Sequence, residues 1–394
     1  MAHIESFTIE GLAGRAQPVT RVLDMHLNVF WGLNGSGKTS LLKILHSALE
    51  NDASSLRRVP FRSALVNIRS GERTIRRTFV AAEPDPAASE SETSAFEFGE
   101  SWQVRYADGS RWHTEEFGPT REENYYATLR FRHAYLPISR VSQSRTPGAL
   151  SGRTNVERQA IDDAAFDEIF ADQVRRRWQT YSNNALIEIR EIQQRGLAEI
   201  LAVLFGGGFG VSKSPENQIT AEGAYALVKS FLRDQRIALQ VGKGEFISRY
   251  ERETDLQEVV SNIQDVTREV DLAQRPQVEF QSIIEEFYSG DKHLVLSGRA
   301  PSARNAIQIE IGGSSVPLQS LSSGEKQLLQ LLLEILASDN HTVMIDEPEL
   351  SMHVDWQERL VASMQRVNPH CQLLLATHSP EIIAEVNPEN VFEL

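Results

Sequence analysis

Three observations predict an α/β fold with mixed sheets, flanking helices and a helical insertion. Gly32-Leu33-Asn34-Gly35-Ser36-Gly37-Lys38-Thr39 is a complete GxxxxGK[ST] loop between an apolar strand pattern and a helical one. Residues 321–380 alternate between helical and buried-strand patterns. Between these regions, from about Asn155 to Tyr288, apolar residues recur at three- and four-residue intervals. The expected organisation is a head made of two sequence-distant halves, 1–150 and 293–394, separated by a helical insertion or short arm at 151–292.

The elements follow in order. Ile4 to Ile9 alternates apolar and polar residues, and Leu27-Asn28-Val29-Phe30-Trp31 runs directly into the glycine-rich loop. Behind the loop, Leu41, Leu42, Ile44, Leu45 and Leu49 fall at helical spacing. Residues 63–82 and 102–117 read as strands, with Ala107-Asp108-Gly109-Ser110 as a turn and the Pro-, Ser- and Glu-rich stretch 81–100 as a loop. The middle third is helical, punctuated by Gly206-Gly207-Gly208-Phe209-Gly210 and Gly242-Lys243-Gly244. It sustains no long heptad register, so a compact insertion is expected rather than a long coiled coil. Ile307 to Ile311 is again strand-like, followed by a helix, a buried strand, a second helix and a last strand.

Composition limits the possibilities. With 394 residues, 41% hydrophobic and 24% charged, the chain can bury a substantial core. Its N-terminus lacks the basic and apolar regions of a signal peptide, and the most apolar stretch, Leu328 to Leu336, is interrupted by Gln330 and Glu334. A soluble cytoplasmic protein with no membrane role is expected. The one cysteine, Cys371, excludes an internal disulfide and any CxxC metal site, and its apolar neighbours predict a buried, inert thiol. A net charge of −14 argues against a surface coated with nucleic acid, though not against a local basic face.

Four motifs carry chemistry. In the first, Asn34, Gly35, Ser36, Gly37, Lys38, Thr39 and Ser40 form a phosphate-binding set. The glycines let successive N–H groups face phosphate oxygens, the helix N-terminus adds positive charge, Lys38 reaches the β/γ-phosphates and the Thr39 hydroxyl ligates Mg²⁺. That loop alone does not separate kinases, GTPases and other P-loop classes. In the second, Thr342-Val343-Met344-Ile345 ends in Asp346-Glu347-Pro348, which places Asp346 for Mg²⁺ and Glu347 to polarise an attacking water. Adjacent acids at a helix start would give the same pattern for purely electrostatic reasons. Third, Leu321-Ser322-Ser323-Gly324-Glu325-Lys326-Gln327 is a small-residue turn opening a helix, which reads equally as an anion-binding nest and as an ordinary Ser cap. Fourth, Leu373-Leu374-Leu375-Ala376-Thr377-His378-Ser379-Pro380 is a buried strand ending in a polar cluster whose His378 is a candidate γ-phosphate contact.

The order of these motifs resembles the ABC ATPase superfamily, making the fold an ABC-type ATPase head. More narrowly, Asp346-Glu347-Pro348-Glu349-Leu350-Ser351-Met352-His353 with Ala376-Thr377-His378-Ser379-Pro380 looks like the SMC/RecF/OLD branch. That branch includes ATPase subunits of anti-phage systems such as Septu, PARIS and retron-associated modules. The resemblance implies ATP and Mg²⁺ as ligands and two heads paired head to tail as a homodimer or higher homo-oligomer. ATP on Lys38 and Thr39 of one copy would then meet the signature residues Ser322, Ser323, Gly324 and Glu325 of the other. It implies catalysis by Glu347 with His378 as the switch, and a glutamine that senses Mg²⁺, for which Gln143 is the candidate. His353, Ser323 and Glu325 depart from the transporter pattern and favour the repair and defence branch.

No nuclease motif is evident, so a defence role implies a separate effector of the nuclease type. The alternatives are a RecF-like DNA repair ATPase and a non-hydrolysing scaffold that assembles on ATP. Arg57, Arg58, Arg62, Arg69, Arg73, Arg76 and Arg77 form one basic cluster, and Arg175, Arg176 and Arg177 a second. DNA phosphates and neighbouring acids are both suitable partners for them. Arg15 is a candidate for adenine stacking or DNA contact.

Overall fold

The structure, a computed structural model, describes residues 2–80, 97–98, 101–102, 112–117, 130–137, 163–205, 219–288, 290, 292–296 and 307–394. The first half runs β1 (Ala2–Glu10), β2 (Val19–Val22), β3 (Leu27–Trp31), α1 (Lys38–Glu50), β4 (Ser63–Ser70), β5 (Arg73–Val80), β6 (Glu97–Phe98), β7 (Ser101–Trp102), β8 (His113–Phe117) and β9 (His133–Leu136). Four helices follow: α2 (Asp163–Leu204), α3 (Ala221–Asp234), α4 (Lys243–Tyr250) and α5 (Thr254–Phe287). The last third is β10 (Lys292–Leu296), β11 (Ile307–Ile311), β12 (Ser314–Val316), α6 (Ser323–Leu336), β13 (Thr342–Asp346), α7 (Val354–Val367), β14 (Gln372–Thr377), α8 (Pro380–Ile383) and β15 (Val391–Glu393).

Two compact units result. One comprises Met1–Arg177, Phe280–Leu296 and Ile307–Leu394; the other is built on Trp178–Glu279. The described ends of the helical middle, 163–177 and 280–288, therefore belong to the first unit. Within the second, Ile200, Ala224, Val228, Phe246, Val260 and Ile263 form a core of their own. No helix among the described residues is long and apolar enough to cross a membrane.

The first unit holds a parallel sheet in the order β15-β3-β14-β13-β9 and an antiparallel one in the order β2-β1-β4-β5-β8. Both patterns follow from the sequence. β13 and β14 are buried on both faces and are apolar almost throughout, as parallel strands between layers must be. In β4, Ala64, Val66 and Ile68 are buried while their neighbours are only partly covered, the period of two of a sheet with one core face. Leu41, Leu42, Ile44 and Leu45 of α1 pack with Ile4, Phe7 and Ile9 of β1 and with Leu374 of β14. Full burial of each such side chain contributes about 2 kcal/mol. Cys371 is buried, and burial pushes its thiol up to about 12, which keeps it unreactive.

The strand expected across 63–82 is a hairpin, because Gly71 at φ +62° turns the chain between β4 and β5. The turn expected at 107–110 lies outside the described residues. The basic clusters also resolve differently from a continuous charged face. Arg77 is fully buried and donates to the carbonyls of Ala48 and Leu49, so it caps the C-terminus of α1, where a cation is favoured. Arg69 pairs with Glu5 at 2.9 Å, Arg73 with Glu116 at 2.8 Å, Arg175 with Asp172 at 3.2 Å, and Arg177 with Glu334. Arg57, Arg58 and Arg62 are exposed and form no ion pair among the described residues.

Candidate functional site

Parallel pairing brings the chemistry to one edge. Thr377 lies opposite Trp31, Ala376 opposite Phe30, and Asp346 opposite Ala376. The glycine-rich loop, the acid pair and the polar cluster therefore all leave the sheet at the carboxyl ends of neighbouring strands, the usual ligand edge of open α/β sheets. Gly35 and Gly37 turn the loop with φ of +86° and +101°. At Gly37 a Cβ would also lie 3.0 Å from that of Ala13, so a side chain there is both strained and crowded. α1 then starts at Lys38 with no side-chain cap and no acid in its first turn, leaving its first N–H groups directed at the loop.

Lys38, with its side chain only 5% exposed, folds back over the loop. Its Nζ donates to the carbonyls of Gly32 at 2.7 Å and Leu33 at 3.1 Å, and lies 3.9 Å from Glu347 Oε1. The buried Ser36 hydroxyl has no partner among the described residues. Arg15 donates to the Ser36 carbonyl at 3.4 Å, so it braces the back of the loop.

Asp346 ends β13 with no exposed surface, and Glu347 follows in the left-handed region at φ +52° with its N–H on the Ala376 carbonyl at 2.8 Å. That conformation is strained for a non-glycine residue. It turns the Glu347 carboxylate back toward Lys38 and into contact with His378 Nδ1. Burial, and then the neighbouring Glu349 carboxylate, raise the Glu347 carboxyl above the ordinary glutamate range, although the His378 contact works against both.

Glu349 is the residue that sequence reasoning missed. Its Oε1 accepts from the Thr377 hydroxyl at 2.5 Å and from the backbone N–H groups of His378 at 3.1 Å and Ser379 at 3.2 Å. One buried oxygen thus fixes the backbone beneath His378, whose ring stays half exposed. Its place in the acid-rich segment was visible, but not its reach of 28 to 30 residues.

At the start of α6, the Ser322 side chain accepts from the Glu325 N–H, and the Glu325 carboxylate accepts from the Ser322 N–H at 2.9 Å. Glu325 also takes Lys292 Nζ at 2.6 Å. Burial disfavours its charge, but Lys292 and the Ser322 donors outweigh this and hold the carboxyl below its usual range. Glu325 is turned inward as a cap, and only Ser322 and Ser323 of the four signature residues are exposed. Gly324 is required by packing, since a Cβ there would meet the Ser351 carbonyl at 2.8 Å. Gln327 of α6 donates to the Pro348 carbonyl at 3.0 Å, tying the signature helix to the acid loop.

The structure thus gathers Lys38, Asp346, Glu347 and His378 at one edge. Gln143 lies outside the described residues. His353 is an exposed cap of α7. The family described as "AAA domain, putative AbiEii toxin, Type IV TA system" matches residues 203–384, which include the signature, the acid pair and His378. The chain is 30% identical over 92 residues to the "Retron Vc95 probable ATPase" of Vibrio cholerae, a stretch covering 20% of this chain and 18% of that protein. It is 28% identical over 93 residues to the "Retron Ec83 probable ATPase" of Escherichia coli, covering 20% and 17%. Over these segments the chain is similar to that AAA-domain family and to the probable ATPases of two retrons.

The match spans less than a fifth of the length of those relatives. An Smc head domain with an extended coiled coil, from Pyrococcus furiosus and bound to the C-terminal domain of ScpA, aligns with a TM-score of 0.43 at 14% identity, covering all of this chain and 93% of that one. In the P-loop head described here, the residues suit a nucleotide with Mg²⁺. The uncapped α1 N-terminus and the unpartnered Ser36 hydroxyl suit phosphate. Thr39 and Asp346 offer the hard oxygens that Mg²⁺ selects.

Proposed function

We propose that this P-loop head binds ATP with Mg²⁺ and hydrolyses it. The supporting observation is the convergence of Lys38, Glu347 and His378 at the carboxyl ends of β3, β13 and β14. Lys38 and the N–H groups of 34–39 bind the phosphates. Thr39, Asp346 and Gln143 would hold Mg²⁺, which would supply positive charge to offset that developing on the phosphates. Glu347 orients and deprotonates the attacking water, a task for which a raised carboxyl pKa suits it. His378 moves between Glu347 and the γ-phosphate, reporting whether that phosphate is present.

Ser322, Ser323 and the Gly324 backbone of a second copy complete the site, so ATP joins two heads and hydrolysis releases them. The relation to retron ATPases and the motif resemblance support a regulatory role, in which this cycle controls a separate nuclease-type effector of a defence complex. A DNA repair role is the second reading. It is favoured by the exposed Arg57, Arg58 and Arg62, and a steep fall of DNA affinity with salt would distinguish it.

Glu347→Gln tests the reaction. ATP turnover should fall at least about a hundredfold with ATP affinity retained, because a base is removed while the phosphate contacts stay. Unchanged turnover, measured by phosphate release, would move the base elsewhere.

A further inference from the structure

The end of the parallel sheet opposite the phosphate loop carries a second cluster that the ATP reaction does not use. His46 and Glu50 stand four residues apart on α1, hence on one face of the helix. His133 opens β9, the strand at the edge of the same sheet. His46 Nδ1 lies 2.7 Å from His133 Nε2, and His133 Nε2 lies 3.9 Å from Glu50 Oε1. One ligand atom from each of the three residues falls within 4.8 Å of the others.

The orientation of the second imidazole is informative. His133, with its side chain 2% exposed, has Nδ1 at 2.7 Å from the Phe131 carbonyl, which accepts only if that nitrogen carries the proton. Nε2 is then left with its lone pair facing His46 and Glu50. A ring nitrogen fixed by a backbone carbonyl, with the other nitrogen aimed at two further donors, is the arrangement that orients metal-ligating histidines. The ring of His46 is held in turn by stacking on Tyr135, with centroids 4.8 Å apart.

The spacing fits as well. Tetrahedral zinc with bonds of about 2.0–2.1 Å sets its donors about 3.3 Å apart. The observed 2.7 and 3.9 Å bracket that value, so small side-chain shifts suffice to admit an ion. Two imidazoles and one carboxylate are a zinc-type set, unlike the all-oxygen pair Thr39 and Asp346 at the other end of the same helix.

We propose that His46, Glu50 and His133 bind one transition-metal ion of the zinc class, with water completing the coordination beside the partly exposed Glu50. The ion ties α1, the helix that starts at Lys38, to β9, the strand preceding the segment that contains Gln143. The alternative occupant of the geometry is a plain hydrogen bond between two imidazoles, which binds no metal.

The test uses the untagged full chain after dialysis against a chelator. Zn²⁺ is titrated calorimetrically and Co²⁺ by its visible absorption bands. The proposal expects one equivalent bound, abolished by His133→Asn and weakened at least about tenfold by Glu50→Gln, the minimum expected when even outer partners of a site cost that much. Glu50 is part-exposed, so Glu50→Gln decides the matter should His133→Asn fail to fold. Glu349→Gln, altering the other cluster of metal-type donors at Glu347, Glu349 and His378, should leave the tight equivalent unchanged. No binding, or binding lost in Glu349→Gln and kept in Glu50→Gln, would overturn the proposal.

Discussion

The helices α1 and α6 both begin at a proposed phosphate site, yet their first turns are built in opposite ways. α1 has glycine before it, no side-chain cap and no acid in its first turn. α6 has Ser322 and Glu325 closing a reciprocal capping box, with Lys292 behind the acid. An uncapped turn keeps its N–H groups and partial positive charge for a ligand, and is incomplete without one. A capped turn is complete already and presents only its outer hydroxyls. On the proposed function, the first site would bind phosphate by itself, and the second would add contacts once a phosphate is held elsewhere. This asymmetry is what an ATP-dependent pairing of heads requires. The two ends are linked within the chain, since Gln327 of α6 reaches the Pro348 carbonyl and Glu349 next to it anchors His378.

The comparison can be broken most severely at α1. Lys38→Ala removes the cation of the self-sufficient site, and ATP affinity measured by calorimetry should fall at least about a hundredfold, the scale of a charge-assisted contact. Retained micromolar affinity would refute the assignment.

An intermediate effect is expected at the link. Glu349→Ala leaves the His378 N–H without its acceptor and the Ser379 N–H with only the Thr377 hydroxyl, and turnover should fall about tenfold or more with little change in ATP affinity. Glu349→Gln keeps an acceptor oxygen but removes the charge. As the proposed base Glu347 would act ionised, so activity should be lost as pH falls through its raised pKa. Removing the second cause of that shift moves the acid limb of the pH–rate profile to lower pH, whereas an unmoved limb would show that burial alone sets it.

The smallest effect belongs to α6. Ser322→Ala opens the capping box and should cost about 1 kcal/mol of stability in denaturant unfolding. ATP binding by the isolated chain should be unchanged. A loss of that binding would mean that the two helices are not independent in the monomer.

Much of this site was legible because its signals are local. The glycine loop, the apolar runs of β13 and β14 and the polar residues that follow them are each contained within about ten residues. What escaped depends on long-range partners. β15 is three residues long and exists by pairing with β3, which no periodicity can reveal. Arg77 looked like part of a basic surface because charge gives no sign of burial, and its partners are the last carbonyls of a helix 28 and 29 residues earlier. Glu325 stands in the signature segment, and the lysine that pairs with it lies on β10, 33 residues earlier. His46 and His133 are separated by 87 residues, and neither stands in a recognisable metal motif.

The central claim, that α1 of one copy and α6 of another share each ATP, is tested most directly by mixing two inactive variants. Lys38→Ala spoils one half of every site and Ser322→Arg the other. Each alone should be inactive. A head-to-tail mixed pair restores one of its two sites, so an equimolar mixture should recover about a quarter of wild-type turnover, half of the random pairs being mixed. A mixture as inactive as its components, with both variants folded and Ser322→Arg still binding ATP, would contradict the shared site.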